Sequence, residues 1–179
     1  MSRAAGLAMA LALFVAACQS SPTPTTFGGD ASRFFAIEEV GLGPDGYVSL
    51  LNYTAQPASL KGLRLCQPPT CVALPDTTVQ PGAAALIAAG DGSGLEHVAV
   101  SGADLALTPA AGEVALFAAG QLNDPSNIRA YLEWGSTPHA ATATAVEAGL
   151  WRDGTYAPSA ENATRLYKTD ANLWVFDTQ

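Results

Sequence analysis

The stretch FFAIEEVGLGPDGYVSLLNY, residues 34–53, holds two apolar runs joined by a turn sequence. The runs, 34–40 and 47–53, are rich in the aromatic and branched residues that favour β-strands. Pro44, Asp45 and Gly46 lie between them and are typical of tight turns. The stretch therefore predicts two consecutive strands at the start of a β domain.

Short runs of the same kind continue along the chain, and Gly or Pro stands at nearly every break between them. The runs are LKGLRLCQ, CVALP, AALIAAG, EHVAVSG, EVALFAAG, AYLEWG, RLYKT and NLWVFDT. Many short strands at this spacing indicate an all-β fold built as an antiparallel β-sandwich. The final run is apolar enough to predict a buried strand that ties the C-terminal end into the domain.

One segment late in the chain, STPHAATATAVEAG (136–149), departs from the strand pattern. It predicts one short helix that begins at Pro138, with Ser136 or Thr137 as its cap, and ends at Gly149.

The N-terminal segment has the features of an export signal. Arg3 is followed by an apolar run, 4–17, which is shorter than the roughly 20 residues of a membrane span. The run ends in VAAC (15–18), which resembles the lipobox of bacterial lipoproteins, in which the cysteine is lipidated and becomes the new N-terminus. The alternative is an ordinary secretory signal that leaves Cys18 as a free thiol.

The lipobox resemblance predicts the organisation of the whole chain. Residues 1–17 are a lipoprotein signal peptide, and 18–32 are the lipidated Cys18 followed by a flexible tether rich in Ser, Thr, Pro and Gly. Residues 33–179 form one domain. We expect Cys18 to anchor the protein to a membrane of the bacterial cell envelope, with the outer membrane favoured over the inner and the domain on the periplasmic or cell-surface side.

The two remaining cysteines, Cys66 and Cys71, have C-x₄-C spacing, and no further Cys/His cluster completes a zinc site. Facing strands across a short loop place their Cα atoms about 4.5–5.5 Å apart, within reach of a disulfide. We therefore predict a Cys66–Cys71 disulfide, which stabilises the domain by roughly 2 kcal/mol.

The charge balance narrows the classes of partner. The chain has 8 basic and 16 acidic residues and a formal net charge of −8. It lacks the basic patch that nucleic acid or anionic lipid requires, so we expect no nucleic-acid partner. The sequence contains no cofactor motif, and we expect no cofactor.

The order of motifs resembles the lamin tail domain, an immunoglobulin-like sandwich found in nuclear lamins and in bacterial secreted proteins and lipoproteins. The resemblance covers roughly residues 34–120, and YLEWGS with AGLW further on is similar to bacterial members. The matching positions are Ile37, Glu39, Val40, Tyr47, Val48, Leu50, Asn52, Leu60, Gly62, Leu65, Pro81, Gly82, Leu105, Leu107, Gly112, Val114 and Leu116.

The resemblance implies an immunoglobulin-like fold and a binding or scaffolding role. Gly46, Tyr47 and Ser49 stand where the family commonly has acidic residues, and the basic surface of the nuclear members is missing. The nuclear partners therefore do not carry over.

Candidates for chemistry are few. His97 or His139 with a nearby carboxylate could serve a small hydrolase or a hydrolase accessory domain. GDGSG (90–94) is not a nucleophile elbow, because Asp91 stands two residues before Ser93. A triad assembled only in three dimensions stays open.

Two binding sites are also possible. Asp91, Ser93 and Glu96 resemble a fragment of a calcium loop, although a solvated loop between strands is favoured and we expect no metal. The late aromatic residues, with His139, could contact a sugar or a protein, although for Trp134 and Trp151 a place in the core is favoured. The proposed contact residues are Tyr131, Trp134, His139 and Trp151, with Tyr156 nearby in the chain.

Glu133 and Glu147 are too far apart in the sequence to predict a carboxylate pair. The sequence thus favours a non-catalytic envelope lipoprotein that presents a β-sandwich for protein interaction or scaffolding. An enzyme or a carbohydrate- or calcium-binding module is the alternative.

Overall fold

The computed structural model describes residues 34–96, 98–100, 103–118 and 121–178, and the fold of these residues is mostly β with one short helix. The signal peptide, Cys18, the tether and His97 lie outside the described residues. The strands are β1 Phe35–Gly41, β2 Tyr47–Asn52, β3 Ala58–Ser59, β4 Leu63–Gln67, β5 Thr70–Ala73, β6 Thr78–Val79, β7 Ala84–Ala88, β8 Val98–Val100, β9 Gly112–Ala118, β10 Ile128–Trp134, β11 Ala163–Lys168 and β12 Trp174–Thr178. The helix α1 is Thr142–Glu147.

The strands form two larger sheets and one small pair. The first sheet has six strands in the order β12-β11-β1-β2-β7-β8, and the second has four in the order β10-β9-β4-β5. Strands β3 and β6 pair with each other. The predicted β1–β2 pair is antiparallel, with Val40 opposite Val48, and Gly43 has a φ of 94° in the turn between them. Glycine adopts that conformation without steric cost, which is why the turn can be tight.

One pairing differs from the antiparallel prediction. Strand β8 runs parallel to β7, with Leu86 opposite Val98. Nine residues, 89–97, separate the two strands in the sequence, more than the two-residue connection that joins an antiparallel hairpin.

The two larger sheets share one apolar core. Its buried side chains include Ile37 and Leu50 from the first sheet and Leu65, Leu116 and Trp134 from the second. Alternate residues of β9 and β10 face away from this core. A second apolar cluster on that outer face contains Ala115, Phe117 and Tyr131 together with Ala141 and Ala145 of the helical segment. The helix therefore covers the back of the second sheet.

The predicted disulfide is confirmed. Cys66 and Cys71 are directly opposite each other in the β4–β5 hairpin, with Cα atoms 4.1 Å apart and sulfur atoms 2.05 Å apart.

Two predictions are wrong in detail. The helix begins at Thr142 rather than at Pro138, with Ala141 at its N-cap, because the residues before it are held by other contacts described below; Gly149, with a φ of 68°, follows its end as predicted. The last strand, β12, is a half-buried edge strand rather than a buried one, since among the described strands it pairs only with β11.

Candidate functional site

Strands β9 and β10 place two buried carboxylates side by side. Glu113 and Glu133 are direct partners in the antiparallel register, and their side chains are 4 % and 0 % exposed. Both follow the alternation that directs Val114, Leu132 and Trp134 into the main core, so both face the helical segment instead. The fold thus brings two acidic groups together in a place from which water is excluded.

A tyrosine hydroxyl joins the two carboxylates. The Tyr131 hydroxyl lies 3.0 Å from Glu113 Oε2 and 3.0 Å from Glu133 Oε2. It is also 2.9 Å from the Thr142 hydroxyl, which donates to Glu133 Oε2 at 2.6 Å. We call Glu113, Tyr131, Glu133 and Thr142 the buried acid cluster.

Donors from the segment 137–151 complete the hydrogen bonding of Glu133. The Thr137 hydroxyl donates to Glu133 Oε1 at 2.8 Å, and Trp151 Nε1 donates to the same oxygen at 3.0 Å. The Trp151 ring also packs edge-on against Tyr131, with ring centroids 5.5 Å apart. Glu133 therefore fixes both ends of the segment that contains α1.

Glu113 binds the start of the helical segment through backbone groups. The amides of Ala140 and Ala141 donate to Glu113 Oε1 at 2.9 Å and to Oε2 at 3.0 Å. These amides precede the helix and have no partner within it. A carboxylate is a strong acceptor for them, and its charge is favourable near a helix N-terminus.

Tyr131 stays neutral in this setting. Burial raises the pKa of its hydroxyl far above the ordinary value, and the charges of Glu113 and Glu133 act in the same direction, while the hydrogen bond with Thr142 opposes them. All four carboxylate oxygens of the cluster accept at least one hydrogen bond. With both carboxylates almost completely buried, the arrangement holds a helix against a sheet and offers no acid or base to a substrate in this conformation.

Sequence reasoning missed this cluster, because it compared Glu133 with Glu147. Glu147 is exposed at the end of α1, whereas the true neighbour of Glu133 is Glu113. A usable signal was present: Glu113 is the only charged residue of β9, and Glu133 stands between the apolar Leu132 and Trp134 in β10. A charged residue in such a place needs partners.

Two of the four candidate contact residues are buried instead, and for Trp134 the core is the alternative that the sequence favoured. Tyr131 and Trp134 are 6 % and 0 % exposed, because the helical segment covers the first and the main core encloses the second. Trp134 Nε1 donates to the Thr108 carbonyl at 3.0 Å. His139 and Trp151 are partly exposed, and Tyr156 is 51 % exposed.

Trp151 borders a surface depression of about 380 Å³ that it shares with Gly149, Leu150, Arg152 and Thr155. Its indole N–H points inward to Glu133 and to the Thr155 carbonyl, so one edge of the ring is fixed while the depression stays open. His139 donates through its backbone amide to Thr142, and its Nε2 is buried without a partner among the described residues.

The calcium candidate lies in the loop after β7. Asp91, Ser93 and Glu96 are exposed there, and Asp91 Oδ1 accepts a 2.8 Å hydrogen bond from the Ser93 amide, which lowers the pKa of the Asp91 carboxyl. Within the described residues, no three His, Cys, Asp or Glu side chains are grouped so that they could hold a metal ion.

A second polar group lies on the first sheet, and we call Glu39, Tyr47, Arg165 and Asp177 the surface cluster. The Tyr47 hydroxyl donates to Glu39, and Arg165 Nη1 is 3.6 Å from Glu39 Oε2. Arg165 also donates to Asp177 through Nε, at 3.1 Å, and through Nη2. Partial burial raises the pKa of Tyr47 to about 12, with a further contribution from Glu39 and an opposing one from Arg165.

Comparison of the chain with protein-family models, curated proteins and solved structures finds no match. In the part of the chain that the structure describes, no helix is both long enough and apolar enough to cross a membrane.

Proposed function

We propose that this protein is a lipid-anchored bacterial envelope protein whose β domain, 33–179, is an interaction or scaffolding module without catalytic activity. The module is an immunoglobulin-like sandwich of the lamin-tail type, held to the membrane through lipid on Cys18 and the tether 18–32. The outer membrane is the favoured location.

The disulfide carries this proposal. The chain has three cysteines, and Cys66 and Cys71 are joined to each other. Cys18 is therefore the remaining thiol, and it stands directly after the small residues of a lipobox-like sequence. A structural disulfide also fits an oxidising compartment outside the cytoplasm. With Cys18 lipidated and Cys66 bonded to Cys71, none of the three cysteines is a free thiol in the oxidising compartment.

The experiment compares three forms of the full chain in bacterial cells: wild type, Cys18→Ala, and a control with Cys66→Ala and Cys71→Ala together. Cells are grown with an alkyne-labelled fatty acid and then separated into membrane and soluble fractions. We expect label and membrane retention in the wild type and in the control, and loss of both in Cys18→Ala. If Cys18→Ala stays labelled and equally membrane-bound, the anchor is wrong.

For the contact with a partner we propose the surface around His139 and Trp151. Trp151 is a rigid aromatic side chain at the edge of an open depression, and such residues dominate the energy of protein contacts. The buried acid cluster fixes the segment that carries both residues, so the surface is held in place before a partner binds.

Photo-crosslinking tests this surface. In one variant a photoreactive amino acid replaces Arg152, an exposed residue that borders the depression. In the control variant it replaces Asp170, an exposed residue in the β11–β12 turn. We expect one envelope protein to be captured from intact cells at position 152 and not at 170. Equal capture at both positions, or none at 152, would contradict the proposed surface. Retention on a glycan column that depends on Trp151 would replace the protein partner with a carbohydrate.

A further inference from the structure

A groove of about 230 Å³ opens where β1 begins beside the second sheet. It is lined by residues of β1 from the first sheet, of β4, β9 and β10 from the second, and of β3 from the small pair, so it lies where the two larger sheets meet beside β3. The lining is mainly apolar and consists of Phe34, Phe35, Leu63, Leu116 and Ala118, with Ser59, Lys61 and Arg129 as its polar members. Phe34 is 41 % exposed, so part of the apolar wall faces solvent.

The two cations of the groove differ in how they are neutralised. Lys61 Nζ is 2.7 Å from Asp76 Oδ2, and both side chains are largely exposed. Arg129 donates through Nη1 to the carbonyls of Ser126 and Ile128, and among the described residues no carboxylate lies within 4.0 Å of it. An arginine without an acidic partner, in a chain whose net charge is −8, leaves a local positive charge beside an apolar wall.

We infer that this groove binds a medium-chain carboxylate. The alkyl chain lies against Phe34 and Leu63, apolar lining residues that reach solvent. The carboxylate accepts hydrogen bonds from the remaining donors of the Arg129 guanidinium, whose planar arrangement matches a carboxylate. The volume is below the roughly 300–1,000 Å³ of pockets for drug-sized ligands, so the chain must be short. One uncompensated cation matches a ligand with a single negative charge.

Asp76 allows a test in which a substitution should increase the affinity for the carboxylate. It holds Lys61 and also accepts a 3.1 Å hydrogen bond from the Ser59 hydroxyl, so a negative charge sits beside the groove. Removing that charge frees Lys61 for the ligand and removes a repulsion from the carboxylate.

The experiment uses the full chain with Cys18→Ala, purified with its disulfide formed. Equilibrium dialysis measures the binding of octanoate, of 1-octanol and of octyltrimethylammonium. We expect octanoate to bind one per chain, octanol to bind about tenfold more weakly, and the cation not to bind. Raising the salt concentration weakens octanoate binding, because the rim of the groove is exposed.

Three variants then locate the site. Arg129→Gln lowers the affinity for octanoate about tenfold and leaves octanol unchanged. Arg64→Gln is the matched control, because it removes the same charge from β4 but from the face opposite Leu63. We expect the affinity to change by less than about twofold, since solvent and salt screen a charge on that face. Asp76→Asn raises the affinity severalfold.

The proposal is overturned if the wild-type groove binds no octanoate, or if octanoate and octanol bind equally well. It is also overturned if Arg129→Gln and Arg64→Gln weaken binding to the same extent, because the effect then comes from net charge alone. Asp76→Asn keeps the test decisive if Arg129→Gln does not fold.

Discussion

The buried acid cluster and the surface cluster share three chemical groups but differ in how far those groups are exposed to solvent. Each has two carboxylates and one tyrosine hydroxyl, Glu113 and Glu133 with Tyr131 in one, and Glu39 and Asp177 with Tyr47 in the other. Only the surface cluster has a cation among them, Arg165. In the buried cluster every hydrogen bond to a carboxylate comes from a backbone amide, an indole or a hydroxyl.

This difference shows how burial changes what a carboxylate needs. At the surface, water solvates Glu39 and Asp177, and an arginine adds a modest and screened attraction. Inside, Glu113 and Glu133 have lost their water, and each lost hydrogen bond must be replaced by a protein donor. The buried cluster therefore organises the helical segment around itself, whereas the surface cluster only joins strands that are already paired.

The largest effect is expected from Glu133→Ala. The change removes the acceptor for the Thr137 and Thr142 hydroxyls and for Trp151 Nε1, and it leaves a cavity between sheet and helix. We expect the free energy of unfolding to fall by about 3 kcal/mol or more. Urea denaturation measures it, with Glu39→Ala as the control, which should cost less than about 1 kcal/mol. Equal losses would show that the two clusters do not differ as argued.

A smaller effect is expected when each tyrosine loses its hydroxyl. Tyr131→Phe leaves three buried oxygens without one of their contacts, so we expect a loss of about 2 kcal/mol. Tyr47→Phe removes one bond at a partly exposed site and should cost about 1 kcal/mol or less. Paired denaturation curves of the two variants test the ranking, and a larger loss for Tyr47→Phe would reverse the comparison.

The tyrosines also affect how the free energy of unfolding changes at alkaline pH. The pKa of Tyr47 is raised from 10.0 to about 12 in the folded protein, so folding favours its protonated form. The resulting stability is complete below pH 10 and is lost as the pH rises from 10 through about 12. Because the site is partly exposed, the loss should not exceed about 1 kcal/mol.

Unfolding measured between pH 10 and 12 should therefore show a shallower decline for Tyr47→Phe than for the wild type. Some decline remains in the variant, since the raised pKa of Tyr131 acts in the same direction. If the two curves are parallel, Tyr47 does not titrate as described.

The smallest effect is expected from Arg165→Gln. The arginine is 41 % exposed, and its pairs with Glu39 and Asp177 are screened by solvent. We expect a loss of about 0.5–1 kcal/mol at low salt that disappears at high salt. Denaturation at two salt concentrations measures this. If the loss of unfolding free energy were the same at both salt concentrations, the ion pairs of Arg165 would not be screened by solvent, and the contrast with the buried cluster would fail.

Much of the fold follows from local sequence. The β1–β2 pair is encoded by its apolar runs and by the turn at Pro44, Asp45 and Gly46, because both signals act over a few residues. The Cys66–Cys71 disulfide was predictable for the same reason, since its two residues lie in one hairpin. The start of α1 was not, because the residues before it are held by Glu113 and Glu133 from distant strands.

Local sequence was enough to predict that the described residues are mostly β with a short late helix and a disulfide within one hairpin, since strand propensity and turn residues act over a few positions. Three other features required the folded structure: the pairing of Glu113 with Glu133, the burial of Tyr131 beneath the helical segment, and the parallel pairing of β8 with β7. Those facts depend on strand register and on which face a distant segment covers, and a shift of one residue would have turned every side chain of a strand to the other face.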